Sequence, residues 1–478
     1  MPSANSKCQL ESRGLYCGDS TGYNEPRSEA PEASASRRQL FLELDNDEEA
    51  GMRPCSPFCN KEAKAMRKNS RIGLFAVGIV LCLGAVILAA PPESELPEPV
   101  GPYLQSPSVK GMTVCFAARS ISAAQVELKE IGATDKRVYT ATPTPIPDTS
   151  WTVWKTKLDH LKPGSEYEYL VHYRQKDAAH STKTYHFLTL DPKAQTIKAA
   201  FFNDIHEKFP TLEAIMKHCK PEDYDFSVLM GDCWQNPQNA DRAIEVLNHY
   251  IQWLDAGEKP MLFVRGNHEC RGPFADRLGY LFDLPNLSPA APVGEQQYSF
   301  TLHAGPVWFL AMDCGEDFEK MFDVMQPYRK RQAEWLETLL KKNDHKNAPW
   351  RVMLSHLPLY NDNIWNSEPS RRMWEPILSH ANIDLALSGH DHTYKVLEKG
   401  RTLKVTHDPK YTENRGEWEM TPPYPQMIGG GPDSNLATVM LLKADANTLQ
   451  IRMIEAEGGT VCKEINSTKN ALRSELEQ

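Results

Sequence analysis

The chain has 478 residues, 41% hydrophobic and 24% charged, an ordinary globular mixture long enough for more than one domain. Its formal net charge of -10 argues against a protein that holds nucleic acid by general attraction to phosphates. A compact anionic substrate stays open, because a bound metal ion inverts the local field.

Residues 1–65 are rich in Ser, Glu and Pro with isolated apolar positions, a composition that predicts a disordered segment. Cys55 and Cys59 have a spacing a metal could use, but no second pair follows, so no zinc site is expected there. From Ile72 to Ala90 runs IGLFAVGIVLCLGAVILAA, 19 residues without a charge. Lys61, Lys64, Arg67, Lys68 and Arg71 precede it, and Glu93, Glu95 and Glu98 follow. The length permits a membrane span, and the cation bias keeps its N-terminal side cytoplasmic.

Two readings of this segment stay open. Residues 66–90 are a cleaved secretory signal if translation starts at Met66, giving a mature chain near Pro91, or a signal anchor if it starts at Met1. Either way the bulk of the protein is expected to be exported: secreted, periplasmic or at the cell surface. A membrane is a partner only if the segment is retained. Cys115, Cys219, Cys233, Cys270, Cys314 and Cys462 follow it, an even count that permits disulfides without indicating a framework.

Over 98–190 the pattern predicts short strands and turns: MTVCFAA, AQVELKE, KRVYTAT, WTVWKTKL, EYEYLVHYR and TKTYHFLTL, punctuated by Pro, Gly and Asp. Their spacing suits a seven-strand sandwich of immunoglobulin or fibronectin type III kind. Leu161 to Tyr167 reads as a corner in which the tyrosine closes onto nearby backbone, and TPTPIPD at 142–148 as a Pro-rich loop. Over 196–456 buried apolar runs alternate with amphipathic helical stretches, which predicts an α/β domain. IKAAFFN, FSVLM and MLFV are its first three strands, SFTLHAGPVWFLAMD a hairpin, RQAEWLETLLKK a surface helix, and RVMLS and IDLALS two more buried strands. The β-rich stretch from about 401 ends in ATVMLLKA and LQIRMIEA, and residues 457–478 are expected as a C-terminal tail.

Chemistry gathers where these strands end. The first runs into Asp204 and His206, the second into Asp232, the third into Gly266-Asn267-His268-Glu269, the fourth into His356 and the fifth into Gly389-His390-Asp391-His392. In open α/β sheets, sites form beyond the carboxyl ends of strands, so these donors should converge. Singly each motif is weak, since Asp-x-His and Gly-Asp also occur in ordinary turns; five in one order are specific.

The set Asp-x-His, Gly-Asp, Gly-Asn-His-Glu, His and Gly-His-x-His resembles the calcineurin-like metallophosphoesterase superfamily. That resemblance implies two β-sheets flanked by helices around two metal ions, Fe, Mn or Zn. It places Asp204, His206 and His392 on one metal, Asp232 between both, and Asn267, His356 and His390 on the second. Asn267 ligates through a neutral carbonyl, which keeps the site positive enough to attract phosphate. His268 would face the substrate as general acid or charge stabiliser, and Glu269 would orient His268 or a neighbour. The implied reaction is phosphate-ester hydrolysis by metal-bridged hydroxide, without a Ser or Cys nucleophile. Cys233 and Cys270 are expected to serve packing or to pair with each other.

A fibronectin-like domain ahead of such a domain, with RGNHECRG, VMLSHLPLY and YPQMIGGGP, is similar to the purple acid phosphatases and their exported relatives. The chain departs from the purple pattern at His206, where that branch has Gly, and at Gln235, where it has a metal-bound tyrosine. A ferric-tyrosinate centre is therefore not expected. Arg271 and Tyr360 adjoin the motifs and are candidate contacts to phosphate or leaving group. The expected partner is a small or phosphorylated phosphate ester, a monoester ahead of a diester or nucleotide, with no nucleic-acid partner. A non-catalytic adhesion or binding protein is the alternative of another class; a missing ligand would favour it, and none is missing.

Overall fold

The computed structural model describes residues 99–286, 297–361, 368–406 and 417–469. The expected disordered segment 1–65, the apolar run Ile72–Ala90 and the end of the expected tail lie outside the described residues. Among the described residues, no helix is long and apolar enough to cross a membrane.

The first domain is a β-sandwich. One sheet has the order β1 (Val100–Ser108), β2 (Gly111–Ala118), β6 (Thr152–Leu158), β5 (Thr142–Pro145). The other has β4 (Lys136–Thr140), β3 (Ile121–Glu130), β7 (Glu166–Gln175), β8 (Ala178–Ser181), with β9 (Tyr185–Leu188) also pairing β7. Period-two patterning explains the faces: Val126 and Leu128 of β3 point inward and pack with Phe116, Trp154, Tyr167 and Phe187. The corner forms as the sequence implies, with the Lys162 backbone N–H donating to the Tyr167 hydroxyl at 2.9 Å. Two expectations change. The sandwich has nine strands rather than seven, and Thr142–Pro145 is not a loop but an edge strand on β6. Proline is tolerated there because one side of an edge strand needs no N–H donor.

The second domain packs two six-stranded sheets face to face. The first has the order β12 (Met261–Val264), β11 (Phe226–Met230), β10 (Thr196–Phe202), β21 (Thr438–Asp445), β22 (Thr448–Glu455), β23 (Val461–Thr468). The second has β13 (Phe300–Ala304), β14 (Val307–Ala311), β15 (Trp350–Leu354), β16 (Leu385–Ser388), β20 (Gln426–Ile428), β17 (Lys395–Leu397). A small hairpin, β18 (Leu403–Thr406) and β19 (Glu417–Met420), stands apart. Within the sheets β10, β11 and β12 run parallel, as do β14, β15 and β16. Every residue of β11 is buried, as expected of a strand covered on both faces. Between the sheets Phe309 meets Phe226 edge-on at 5.6 Å and Phe201 at 6.3 Å.

Helices cover the outer faces. α1 (Phe209–Met216) and α2 (Ala240–Trp253) lie on the first sheet, and α3 (Phe322–Lys341) and α4 (Glu368–Leu378) on the second. Asn239 caps α2 by accepting the Arg242 N–H at 2.9 Å, and Ala243, Ile244, Leu247, Tyr250 and Ile251 form its buried stripe. The expected tail is corrected in part: Val461–Thr468 pairs with β22 and becomes the outermost strand of the sheet. All six cysteines among the described residues are free thiols. Cys233 and Cys270 are buried apart, each thiol facing backbone carbonyls, so packing rather than pairing explains them.

The domains share one interface. Leu104 N–H reaches Ala256 O at 2.7 Å, Tyr103 and Tyr169 hydroxyls reach Leu281 O and Gly257 O at 2.6 Å, and Gln105 Nε2 reaches Met261 O at 2.9 Å. Val100, Tyr103, Cys115, Trp151 and Val153 belong to the same apolar cluster as β10–β12. The sandwich therefore buttresses the sheet whose strand ends carry the first three motifs.

Candidate metal centre

Parallel strands bring their carboxyl ends to one edge, and the five motifs meet there. Asp204, His206, Asp232 and His392 place one ligand atom each within 4.8 Å of one another, and Asp232, His356 and His390 form a second such group. Asp232 is common to both. Its Oδ2 lies 3.6 Å from His206 Nε2 and 3.1 Å from His356 Nε2. Asp204 Oδ1 lies 3.5 Å from His392 Nε2 and 3.8 Å from His356 Nε2. Asn267 Oδ1 approaches His390 Nδ1 at 3.1 Å.

Each aspartate divides its labour. Asp204 Oδ2 accepts the His390 N–H at 2.8 Å and Asn203 Nδ2 at 2.7 Å, while Asp232 Oδ1 accepts the His268 N–H at 2.9 Å. One oxygen thus ties a neighbouring motif in place and the other points to the centre. The glycines before the ligands serve the same crowding: a Cβ on Gly231, Gly266 or Gly389 would overlap the His356 ring, Asp232 Oδ1 or Asp204 Oδ2. Asp204, His206, Glu207, Asp232, Asn236, His390 and His392 all have positive φ. Strain of about 1 kcal/mol or more per such residue persists only where the surroundings impose it.

The electrostatics keep the acids ionised. Burial alone would raise the Asp204 carboxyl, but His356, His206 and His392 outweigh it and lower the pKa to about 2. For Asp232, His356 and His268 likewise overcome burial and hold it well below the carboxylate range. Burial lowers His356 but Asp232 and Asp204 raise it further, to about 10. Asp204 Oδ1 and His356 Nε2 are buried without a hydrogen-bond partner. His206 and His392 also bring their Nε2 atoms to 3.1 Å of each other. Mixed N and O donors around a buried carboxylate oxygen that has no hydrogen-bond partner are what a pair of divalent or trivalent cations requires, so the residues fit the two-metal set.

Around this centre the structure adds residues that sequence reasoning missed. Gln235 Oε1 faces His206 Nδ1, and Met230 O faces His356 Nδ1 at 3.0 Å, each leaving Nε2 turned inward. Asn236 Oδ1 lies 2.9 Å from His268 Nδ1. Glu269 orients a neighbour rather than His268: its carboxylate accepts the N–H groups of Asp232, Cys233, Trp234 and Gly266 at 2.7–2.9 Å. It thereby holds the turn that carries Asp232. His268 borders the centre, its Nε2 3.9 Å from Asp232 Oδ2, and burial pushes its pKa down to about 3.

Both expected substrate contacts are buried. Arg271 is 1% exposed, with Glu316 and Asp317 on its guanidinium, and reaches the centre through Nη1, 3.2 Å from His268 Nε2. Tyr360 is 3% exposed and packs edge-on against Tyr424.

The family model described as calcineurin-like phosphoesterase matches residues 197–394. Probable purple acid phosphatase 20 of Arabidopsis thaliana is 28% identical over 251 residues, covering 49% of this chain and 53% of that protein. Fe(3+)-Zn(2+) purple acid phosphatase 12 of the same plant is 22% identical over 198 residues, 38% of this chain and 39% of that one. The chain thus spans about half the length, or less, of these curated relatives. Among solved structures, purple acid phosphatase PPD1 from yellow lupin seeds superposes with a TM-score of 0.56 at 16% identity, over 77% of this chain and 74% of that one, a likeness of fold. The chain therefore carries a calcineurin-like phosphoesterase domain over residues 197–394 and is similar to the purple acid phosphatases.

Proposed function

We propose that this protein is an exported, dinuclear metal-dependent phosphoesterase that hydrolyses phosphate esters, monoesters ahead of diesters. The observation that carries this reading is the pair of ligand groups sharing buried Asp232. Asp204, His206, Asp232 and His392 would hold one ion, and Asp232, Asn267, His356 and His390 the other. Two ions there supply Lewis-acid polarisation of phosphoryl oxygens and a nucleophile at neutral pH; iron and zinc together are the pair in the name of one relative.

The remaining chemistry belongs to the chain. Asn236 holds the Nδ1 side of His268, and its Nε2 borders the centre. An arriving phosphate brings negative charge that favours the protonated ring, and Nε2 then delivers its proton to the leaving oxygen. Arg271, beside the same nitrogen, opposes that protonation, so hydrogen bonding without proton transfer is the second reading of His268.

We further propose export through the apolar run Ile72–Ala90, with the β-sandwich at 98–190 and the catalytic domain from 196. Support for export is the order of basic, apolar and small residues in that segment. Purified protein, analysed for bound metal, should cleave alkyl phosphomonoesters faster than diesters. A sample with two metals per chain and no phosphatase activity would overturn the reading.

A further inference from the structure

A sixth strand end reaches the centre. β14 runs parallel to β15 and β16, so the loop after it, Met312–Phe318, opens on the same edge as the motifs. This loop is acidic and grips both ends of the Asn267-His268 segment. Asp313 Oδ2 pairs with Arg265 at 2.6 Å. Glu316 takes Arg271 Nε and Nη2 at 3.0 Å each, and Asp317 Oδ1 takes Nη2 at 2.7 Å. Arg329 ties the loop itself, donating from Nη2 to Cys314 O at 3.3 Å and Glu316 O at 3.0 Å.

Asp317 has a second contact that the other two acids lack. Its Oδ2 lies 3.8 Å from His390 Nε2, the ring nitrogen opposite the Nδ1 that approaches Asn267. His206 and His356 each have the nitrogen away from the centre held by an oxygen, from Gln235 and Met230 respectively. We propose that Asp317 is the corresponding positioning residue for His390: with an ion bound, its carboxylate, 3.8 Å away here, would close on Nε2–H and leave Nδ1, beside the Asn267 carbonyl, as the donor to the second ion. The inference rests on the two-ion reading above. Through Arg271 the same carboxylate also braces the helical turn that presents His268.

The test reads metal binding rather than turnover. Full chain, stripped with a chelator, is titrated calorimetrically with Zn2+ alone, and bound metal is counted by elemental analysis. Wild type should take two ions. Asp317→Asn should leave one site unchanged and weaken the other by about 10–100-fold, the usual cost of losing a partner behind a ligating histidine. Glu316→Gln, which loosens Arg271 but spares the Asp317–His390 contact, should lower the thermal midpoint of the metal-free chain and keep both sites. Two unaltered sites in Asp317→Asn would overturn the inference. Equal weakening of both sites, matched in Glu316→Gln, would also overturn it by making Asp317 a structural brace. Wild type that takes up no Zn2+ would instead bring down the two-ion reading, and this inference with it.

Discussion

Between the sheets of the β-sandwich lie Phe116, Val126, Leu128, Trp154, Tyr167 and Phe187, whereas the phosphoesterase domain encloses Asp204, Asp232, Glu269, Arg271, Glu316 and His356. The sandwich buries few polar side chains, and two of them, Gln105 and Thr113, reach across to Met261 and Asp283 of the other domain. Its positive-φ residues, such as Asp148, His160 and Lys176, sit in turns, while seven of those in the second domain belong to the segments that form the centre. A buried charge costs several kcal/mol before its partners offset it. Stability alone is served better by the sandwich's chemistry. The difference therefore separates a part of the molecule built to be stable from a part that trades stability for a charged, preorganised centre.

Removing the central charge gives the sharpest break. Asp232→Asn should lose both metal and activity, by on the order of 10³-fold in kcat/KM, and should also unfold at lower urea, because His356 loses its nearest buried carboxylate. Full metal occupancy with normal turnover would defeat the ligand assignment. A gentler probe is His268→Ala, expected to keep both metals and to lose about 10²-fold on alkyl phosphates. On an activated aryl phosphate, whose leaving group needs little protonation, the loss should be clearly smaller. Equal losses on both substrates, with metals intact, would leave His268 as a charge stabiliser only.

The sandwich should answer in the opposite currency of measurement. Tyr167→Phe removes the corner bond to the Lys162 N–H and should cost about 1 kcal/mol of stability, seen as a lower thermal midpoint with unchanged kcat/KM. A fall in activity without a fall in stability would blur the division between the two domains. Smallest of all is a spectroscopic absence. Gln235 is engaged with His206, so an iron-loaded, oxidised sample should lack the visible band of a ferric phenolate. A purple preparation would mean that a tyrosine elsewhere has become a ligand.

What could be read from the chain alone was the local part. Strands β10, β11, β12, β15 and β16 are short apolar runs, and the ligand types follow each one directly, so both element and donor are written in adjacent residues. The corner at Tyr167 is local in the same sense, five residues from its partner. Tertiary structure decided whatever depends on distant partners. Thr142–Pro145 became a strand because β6 offered an edge, and Val461–Thr468 because β22 did. Glu269 serves backbone N–H groups up to 37 residues away, and Arg271 finds its acids 45 and 46 residues on. No pattern of neighbours encodes such pairings, because they exist only once parallel strands have brought their ends to one edge.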